Sequence, residues 1–562
     1  MKELFSKTIF TLLLVGILAF TICIPSVRPS FETTEGRAIV VEHEITSLEQ
    51  KRLKQEVGVY GENVDYSQII NGHGTGVRPP TEEEWIDILG NTFIVEKIML
   101  DDSSQIASSV DQTATPWFPP IGNQDGEGSC TAWAVGYYMK TFQEAYEHGW
   151  DLSLATWEGG YYGNPTPEYQ NRIVSPDFIY HLINGGADGG SSFYDAITLV
   201  CGVGASSWET MPYSPLDHTS WPAEAAWREA PRFRGSNTGY EYMWLNDNDD
   251  IVSLRNWIAS NHLAIIGVDA TKYASLTSED VWTVDNYVNP IVNHANTIVG
   301  YDDTRTYWED GQLRQGAFKI ANSWGEGGWE NVADGCFWIS YKAMKERVRS
   351  FMFYRDRTAY TPELFASFHI DHSRRADTII TVGLGSHSTP TVTKSFSQYI
   401  DGGYLPFCPN NIIFDVTEFI DVVPTVYNKS FFIQVYDGGS PTTGAILGFA
   451  INYAHSEQPP INTVQGSNVY ADAVLGQLAV TVYADRYTYH IGDPMYVGLD
   501  IVNPGSRATV CLVIWIEKPS AHIEVIRHYH AVALPTGLEY SSPSFMSFTI
   551  SSIPSGVYTW RA

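Results

Sequence analysis

Cysteine is scarce in this chain. There are 6 among 562 residues, and Cys23 lies inside an N-terminal apolar run, which leaves Cys130, Cys201, Cys336, Cys408 and Cys511. An odd, dispersed set excludes a disulfide framework, leaves one thiol open for chemistry and makes the rest small core residues. Basic residues are also few: 34 Lys and Arg stand against 64 Asp and Glu, a formal charge of -30. No basic patch offsets this, so nucleic acid is excluded as a partner. Long apolar runs are confined to residues 8–27, so no second segment can span a bilayer. Apolar and aromatic material, in contrast, is plentiful. Hydrophobic residues make up 44% and the chain holds 17 Trp, enough for several packed cores and incompatible with global disorder. At about 100–200 residues per domain, three or four domains are expected.

Residues 1–27 place Lys2 and Lys7 ahead of the apolar run, the pattern of an export signal. The run is also long enough to remain as an anchor, and both outcomes stay open. The protein is expected to be secreted or held at the cell surface, touching membrane only through this segment if it is uncleaved. Residues 28–115 are polar and acidic, with a Gly-rich stretch (NGHGTGVRPP) and a helix start in which Thr81 and Glu84 form a capping box; they read as a leader or propeptide. Residues 116–357 mix helical and strand periodicity and are dense in Trp and Gly, an α+β pattern. After Cys130, the positions of Trp133, Tyr137, Met139, Phe142 and Tyr146 predict a helix that Gly149 stops. Later come short apolar runs such as LAIIGVDA, ANTIVGYDD and GCFWISYKAM, expected as strands. Residues 358–460 and 461–562 alternate apolar and polar positions and are expected to form two all-β sandwich domains, the second ending in mid-strand as a truncated module would.

A thiol attacks acyl carbon near neutral pH only when its pKa is lowered, as a helix N-terminus and a neighbouring imidazolium can do. Cys130 opens a helix. The imidazole must come from elsewhere in the chain and be held in one tautomer by a third group, and His294 and Asn322 suit those roles.

Three blocks carry these residues: GNQDGEGSCTAWA around Cys130, VNHANTIVGYDD around His294 and IANSWGEGGWENVADG around Asn322. In type and order they resemble the papain-like cysteine peptidases, and NGGADGG followed by MPY is a weaker fourth likeness. The resemblance covers residues 116–357. It implies a two-lobed catalytic domain, a helical lobe opening with Cys130 and a β-sheet lobe carrying His294 and Asn322. It further implies Cys130 as nucleophile, His294 as base and then acid, Asn322 as the group orienting the ring, and Gln124 with the Cys130 N–H as oxyanion donors. Trp324 would shield the His294–Asn322 contact. Gly189 and Gly190 would pair with an extended substrate, and Gly267 and Ala295 would line the pocket for a bulky apolar side chain. Two departures stand out. Thr131 occupies a position where the family has Trp, with Trp133 close by to fill the space, and Glu127 and Ala187 stand where the family has a cystine pair.

Other features read as structural. The acidic run at 246–250 lacks the Gly and Glu of a calcium loop, so Asp249 or Asp250 is expected to cap the following helix. His369, His372 and His387 converge on no metal site, and no metal ligand or cofactor is expected. The expected activity is hydrolysis of protein or peptide substrates by an exported thiol endopeptidase through an acyl-enzyme. The β domains would contact a cell surface or glycan, or serve as spacers. Two rivals remain open: a non-catalytic peptide- or glycan-binding surface protein, and a relative that transfers the acyl group to an amine.

Overall fold

A computed structural model describes residues 38–561 apart from 58–66, 83, 102–105, 237–238, 274–275, 328, 330–331, 424–425, 440–443, 477, 485–492, 504–507, 519–522, 536–537 and 550–558. The apolar run at 8–27 lies outside the described residues. Among those described, no helix is long and apolar enough to cross a membrane.

The chain is of mixed α+β type. Helices follow local signals: Ser175 accepts from Phe178 N and Pro176 opens helix Pro176–Ile183, while Ser192 accepts from Asp195 N at the start of Phe193–Gly202. The helical run from Cys130 comprises Cys130–Ala132, a π-helical stretch Trp133–Lys140 and Thr141–His148. It ends where expected, at Gly149 with φ 62, a left-handed cap whose N–H meets the carbonyls of Ala145 and Tyr146. The acidic run at 246–250 caps its helix with a small correction. Asp247, not Asp249 or Asp250, is the cap, and Asp250 completes the box from the third helical position.

The helix that begins at Cys130 packs on one side against Pro176–Ile183 and Phe193–Gly202 and on the other against strand His294–Glu309. That strand lies within a ten-stranded sheet ordered Ala38–Glu44, Thr92–Leu100, Tyr240–Trp244, Ser350–Phe353, Ala264–Val268, His294–Glu309, Gln312–Ala321, Cys336–Ser340 and Val281–Trp282, with Ser109–Asp111 also pairing to His294–Glu309. The leader is thus joined to the block that follows it. Its strands Ala38–Glu44 and Thr92–Leu100 pair with each other, and Thr92–Leu100 runs parallel to Tyr240–Trp244. Ile94, Val95 and Ile98 are buried there, which binds the leader to the same core.

Beyond residue 358 the chain is β-rich. One four-stranded sheet orders Thr389–Ser395, Thr378–Ser386, Lys429–Asp437 and Ser467–Leu475. Another includes Ile412–Asp415, Phe365–Asp371 and Ala445–Ile451 and reaches Ala508–Glu517 and Ile523–Leu534 through the pair Ala454 and Ala508. Strand Ser467–Leu475 pairs along its length with Lys429–Asp437, so this sheet holds strands from both sides of the division expected at 460/461. The first β region shares one continuous core with the block at 116–357, whereas Val497, Leu499 and Ile514 belong to a second, separate core.

Candidate active site

Three segments meet where the helical group faces the sheet. Cys130 opens its helix, His294 begins its strand and Asn322 follows the end of strand Gln312–Ala321. Cys130, His294, Asn322 and Gln124 are all fully buried. The Asn322 Oδ1 lies 2.7 Å from His294 Nε2 and, being a carbonyl oxygen, can only accept, which puts a ring proton on Nε2. Nδ1 is thereby the basic nitrogen of the neutral ring. It is buried and has no hydrogen-bond partner, the Cys130 thiol included.

Several residues that the sequence did not flag hold this pair. Asn322 Oδ1 also accepts from Asn296 Nδ2 at 2.9 Å and Ser323 N at 2.8 Å, while Tyr273 donates its hydroxyl to Asn296 Oδ1 at 2.5 Å. Tyr138 donates to the Asn322 carbonyl at 2.7 Å. Asn296 had a readable signal, since it lies two residues from His294 on one strand and so shares its face. Ser323 performs a second task. Its Oγ donates to Gln124 Oε1 at 2.6 Å, which fixes the amide so that Nε2 points the other way. Trp324 is buried with its ring centroid 4.9 Å from that of His294. Thr131 forms a short hydrogen bond with Ser191, and Trp133 fills the space beside it among Tyr137, Trp157, Trp208 and Tyr213.

The leader runs directly over these groups. Gln124 Nε2 donates to the Gly74 carbonyl at 3.0 Å, and Trp324 Nε1 donates to the same oxygen at 3.1 Å. Gly74 N donates to Asp125 O, Gly76 N and Val77 N both donate to Asn293 O, and Gly76 O and Arg78 N bracket Ser191 in a parallel bridge at Val77. The glycines are required by this approach. A Cβ on Gly74 would lie 2.2 Å from Glu127 O, and one on Gly76 would lie 1.9 Å from Gly128 O. Arg78 anchors the segment through Glu84 and Asp195.

This segment pairs at Ser191, next to Gly189 and Gly190, which were expected to pair with an extended substrate. Gly190 has φ +81 and gives its N–H to Tyr180 Oη, while its missing Cβ lets Gly76 O approach. Gly189 is exposed. Gly267 and Ala295 are cross-strand partners. Gly267 lines a cleft of about 340 Å³ with Phe193, Val292, Met352, Arg347 and Arg349, whereas buried Ala295 presents its backbone N–H to the Cys130 sulfur.

The electrostatics differ from the expected activated thiol. Burial pushes the Cys130 thiol up to about 12, against the backbone N–H groups of Ala295, Thr131, Cys130 itself and Val77. Burial also brings the His294 imidazole down to about 4, against the Asn322 hydrogen bond, with nearby His73 acting in the same direction as burial. Beneath the leader, both groups are neutral at pH 7. Cys201, Cys336 and Cys408 are buried and free and Cys511 is exposed and free; Ala187 is exposed, and Glu127 is buried against His181.

No protein-family model matches the chain, and no curated protein matches it. Among solved structures, xylellain, a cysteine protease from Xylella fastidiosa, is similar at 19% identity over 53% of this chain and 98% of that one, with a TM-score of 0.35. A digestive procathepsin L2 proteinase from Tenebrio molitor larval midgut is similar at 21% identity over 55% and 88%, also with a TM-score of 0.35. The Amb a 11 cysteine protease of ragweed pollen, in its proform, is similar at 16% identity over 46% and 67%, with a TM-score of 0.32.

Proposed function

We propose that the protein is an exported papain-like cysteine endopeptidase, two-lobed in its catalytic block, followed by two β-sandwich modules and held inactive by its own leader. The observation that carries this reading is the His294 Nε2 to Asn322 Oδ1 bond. It leaves a basic nitrogen unused at the level of a cysteine that opens a helix, beside an amide oriented by Ser323. In the reaction, Nδ1 of His294 takes the thiol proton as the Cys130 sulfur bonds to the substrate carbonyl carbon. Gln124 Nε2 and the Cys130 N–H then hold the oxyanion. The amine leaves with the proton from His294, and water, giving a proton back to the ring, hydrolyses the thioester and frees the thiol.

Two features support leader inhibition. Gly74 O takes the hydrogen bond that an oxyanion would need, and the neutral pair fails to supply a thiolate. Cleavage that removes the leader would expose sulfur and ring together. A second reading has its own support: a neutral, covered thiol is also what a non-catalytic peptide-binding groove would retain. The deciding experiment uses the chain after limited proteolysis of its leader. Stoichiometric labelling by a peptidyl epoxide, together with peptide hydrolysis that Cys130→Ala abolishes, is expected; a folded, leader-free protein that neither labels nor hydrolyses would reject the enzyme. Adding a primary amine during turnover distinguishes acyl transfer, because hydrolysis leaves only free carboxylates. The reading places the protein outside the cytoplasm, with the β modules as spacers or surface contacts.

A further inference from the structure

Just below the loop that carries Gln124 and Cys130, three side chains converge without satisfying one another. Glu127 lies in the loop itself. Asp177 and His181 stand at the i and i+4 positions of helix Pro176–Ile183, one above the other on a single face. Their side chains are 0%, 2% and 2% exposed, and one ligand atom from each lies within 4.8 Å of the others.

The ring tautomer is constrained. His181 Nδ1 lies 2.6 Å from the Ser220 carbonyl, which can only accept, so Nδ1 carries a proton and Nε2 faces the carboxylates. Nε2 is 3.5 Å from Asp177 Oδ1 and 4.0 Å from Glu127 Oε1, too far for a charge-assisted hydrogen bond to either. Nε2, Asp177 Oδ1 and both Glu127 oxygens are buried without a hydrogen-bond partner. The nearby hydroxyls do not relieve Glu127. Tyr213 spends its proton on Gln124 O at 2.7 Å, and Ser129 is bonded to Tyr213 at 2.9 Å. Among the described residues the only ion-pair partner of either carboxylate is His181. Asp177 Oδ2 accepts from Ser214 N at 2.7 Å, while burial raises both carboxyls well above their ordinary range and lowers the ring, so the remaining unpartnered oxygens and the imidazole lone pair are donor atoms that a divalent cation would pair in place of protons.

We propose that Glu127, Asp177 and His181 form a structural site for a divalent transition-metal ion, zinc by donor type. Tetrahedral zinc with bonds of about 2.0–2.1 Å has ligand atoms about 3.4 Å apart. The His181–Asp177 separation of 3.5 Å already meets this, the His181–Glu127 separation of 4.0 Å needs to close by about 0.6 Å, and the two carboxylates lie within 4.8 Å of each other. The second Glu127 oxygen or a water completes the shell. The ion would tie the loop before Cys130 to helix Pro176–Ile183, a loop that no disulfide restrains. This proposal stands whether or not the protein is a peptidase.

The test uses the full chain, produced without a histidine tag. Cys511, His528 and His530 also lie within 4.8 Å of one another, on the surface, so a Cys511→Ala/His528→Ala background removes that competitor. After equilibration with micromolar zinc and desalting, about one zinc per chain is expected by elemental analysis. The melting midpoint should fall by about 5 °C with a chelator and recover with zinc. Cobalt substitution should give visible bands of tetrahedral intensity, and His181→Gln should abolish both uptake and the chelator effect. If that variant fails to fold, the background protein alone decides. A folded protein that holds less than about 0.1 zinc, and whose midpoint ignores zinc and chelator alike, overturns the proposal and leaves two carboxyls held protonated by burial beside a neutral ring.

Discussion

The arrangement around Gln124 shows how single hydrogen bonds set chemistry. An amide can face either way, and the Ser323 hydroxyl on Oε1, together with the Glu127 carbonyl that accepts from Nε2 at 2.8 Å, makes Nε2 the end that points at the Gly74 carbonyl. Removing that hydroxyl leaves a buried acceptor unsatisfied, at a cost on the order of 1–3 kcal/mol, and lets the amide turn. Ser323→Ala in the leader-free protein is expected to lower kcat about tenfold with KM little changed, against about 10²–10³-fold for Gln124→Ala, as steady-state kinetics on a peptide substrate would show. The thiol supplies a second test. With Cys130 raised from an ordinary value near 9 to about 12, the reactive thiolate is nearly absent at pH 7 and grows tenfold with each pH unit up to about 12. Iodoacetamide labelling of Cys130 in the intact chain should therefore climb through pH 8–10 without a plateau, while the leader-free protein labels at neutral pH. Mass spectrometry of the Cys130 peptide measures both, and a plateau near pH 8 in the intact chain would contradict the covered, neutral thiol.

At the scale of elements, the segment His73 to Arg78 is held by backbone contacts, and its sequence follows from that. With a Cβ on Gly76 only 1.9 Å from the Gly128 carbonyl oxygen, even Ala forces two backbones apart. Gly76→Ala should release the segment while leaving strands Ala38–Glu44 and Thr92–Leu100 in the sheet. Epoxide labelling of the intact variant is expected to rise at least about tenfold over wild type, the equivalent of about 1.4 kcal/mol in the covered population. Unchanged labelling would place the block elsewhere. This segment also marks the limit of what the sequence discloses. The helix after Cys130, its stop at Gly149 and the Thr81–Glu84 box are local, and local signals announced them. His294 and Asn322 were found because their neighbours form recognisable blocks, though nothing local says that they meet. The glycines at 74 and 76 were visible as part of a Gly-rich stretch, but the carbonyls of Glu127 and Gly128 that demand them are distant in the chain. The pairing of residues 76–78 at Ser191, the Asp247 cap and the cluster of Glu127, Asp177 and His181 likewise depend on neighbours that only folding supplies.

For the whole molecule, the question is which parts stand or fall together. A buried ionic network crosses from the block at 116–357 into the first β region. Arg234, 1% exposed, bonds Asp415 at 2.7 Å and Glu418 at 3.1 Å, and Lys394 bonds Glu418 at 2.7 Å and the Gly202 carbonyl at 3.0 Å. The Glu418 carboxyl, although burial opposes it, is drawn to about 2 by Lys394 and Arg234. A folded pKa below the ordinary 4.5 means that its stabilisation is complete above about 4.5 and is lost as pH falls toward 2. Removing one partner from such a network strands the others and costs about 3–5 kcal/mol, more than most surface changes. Because the two regions also share a single apolar core, that loss cannot be confined to either of them. Arg234→Met should therefore lower one calorimetric transition that contains both the block at 116–357 and the first β region. The last β region, built on the separate core around Val497 and Leu499, should melt at its unchanged temperature. In wild type, acid between about pH 4.5 and 2 should shift that same shared transition, with Glu418→Gln removing the part owed to this carboxyl. Two independent transitions for the block at 116–357 and the first β region, with only one displaced by Arg234→Met, would show that their common core does not make them a single cooperative unit.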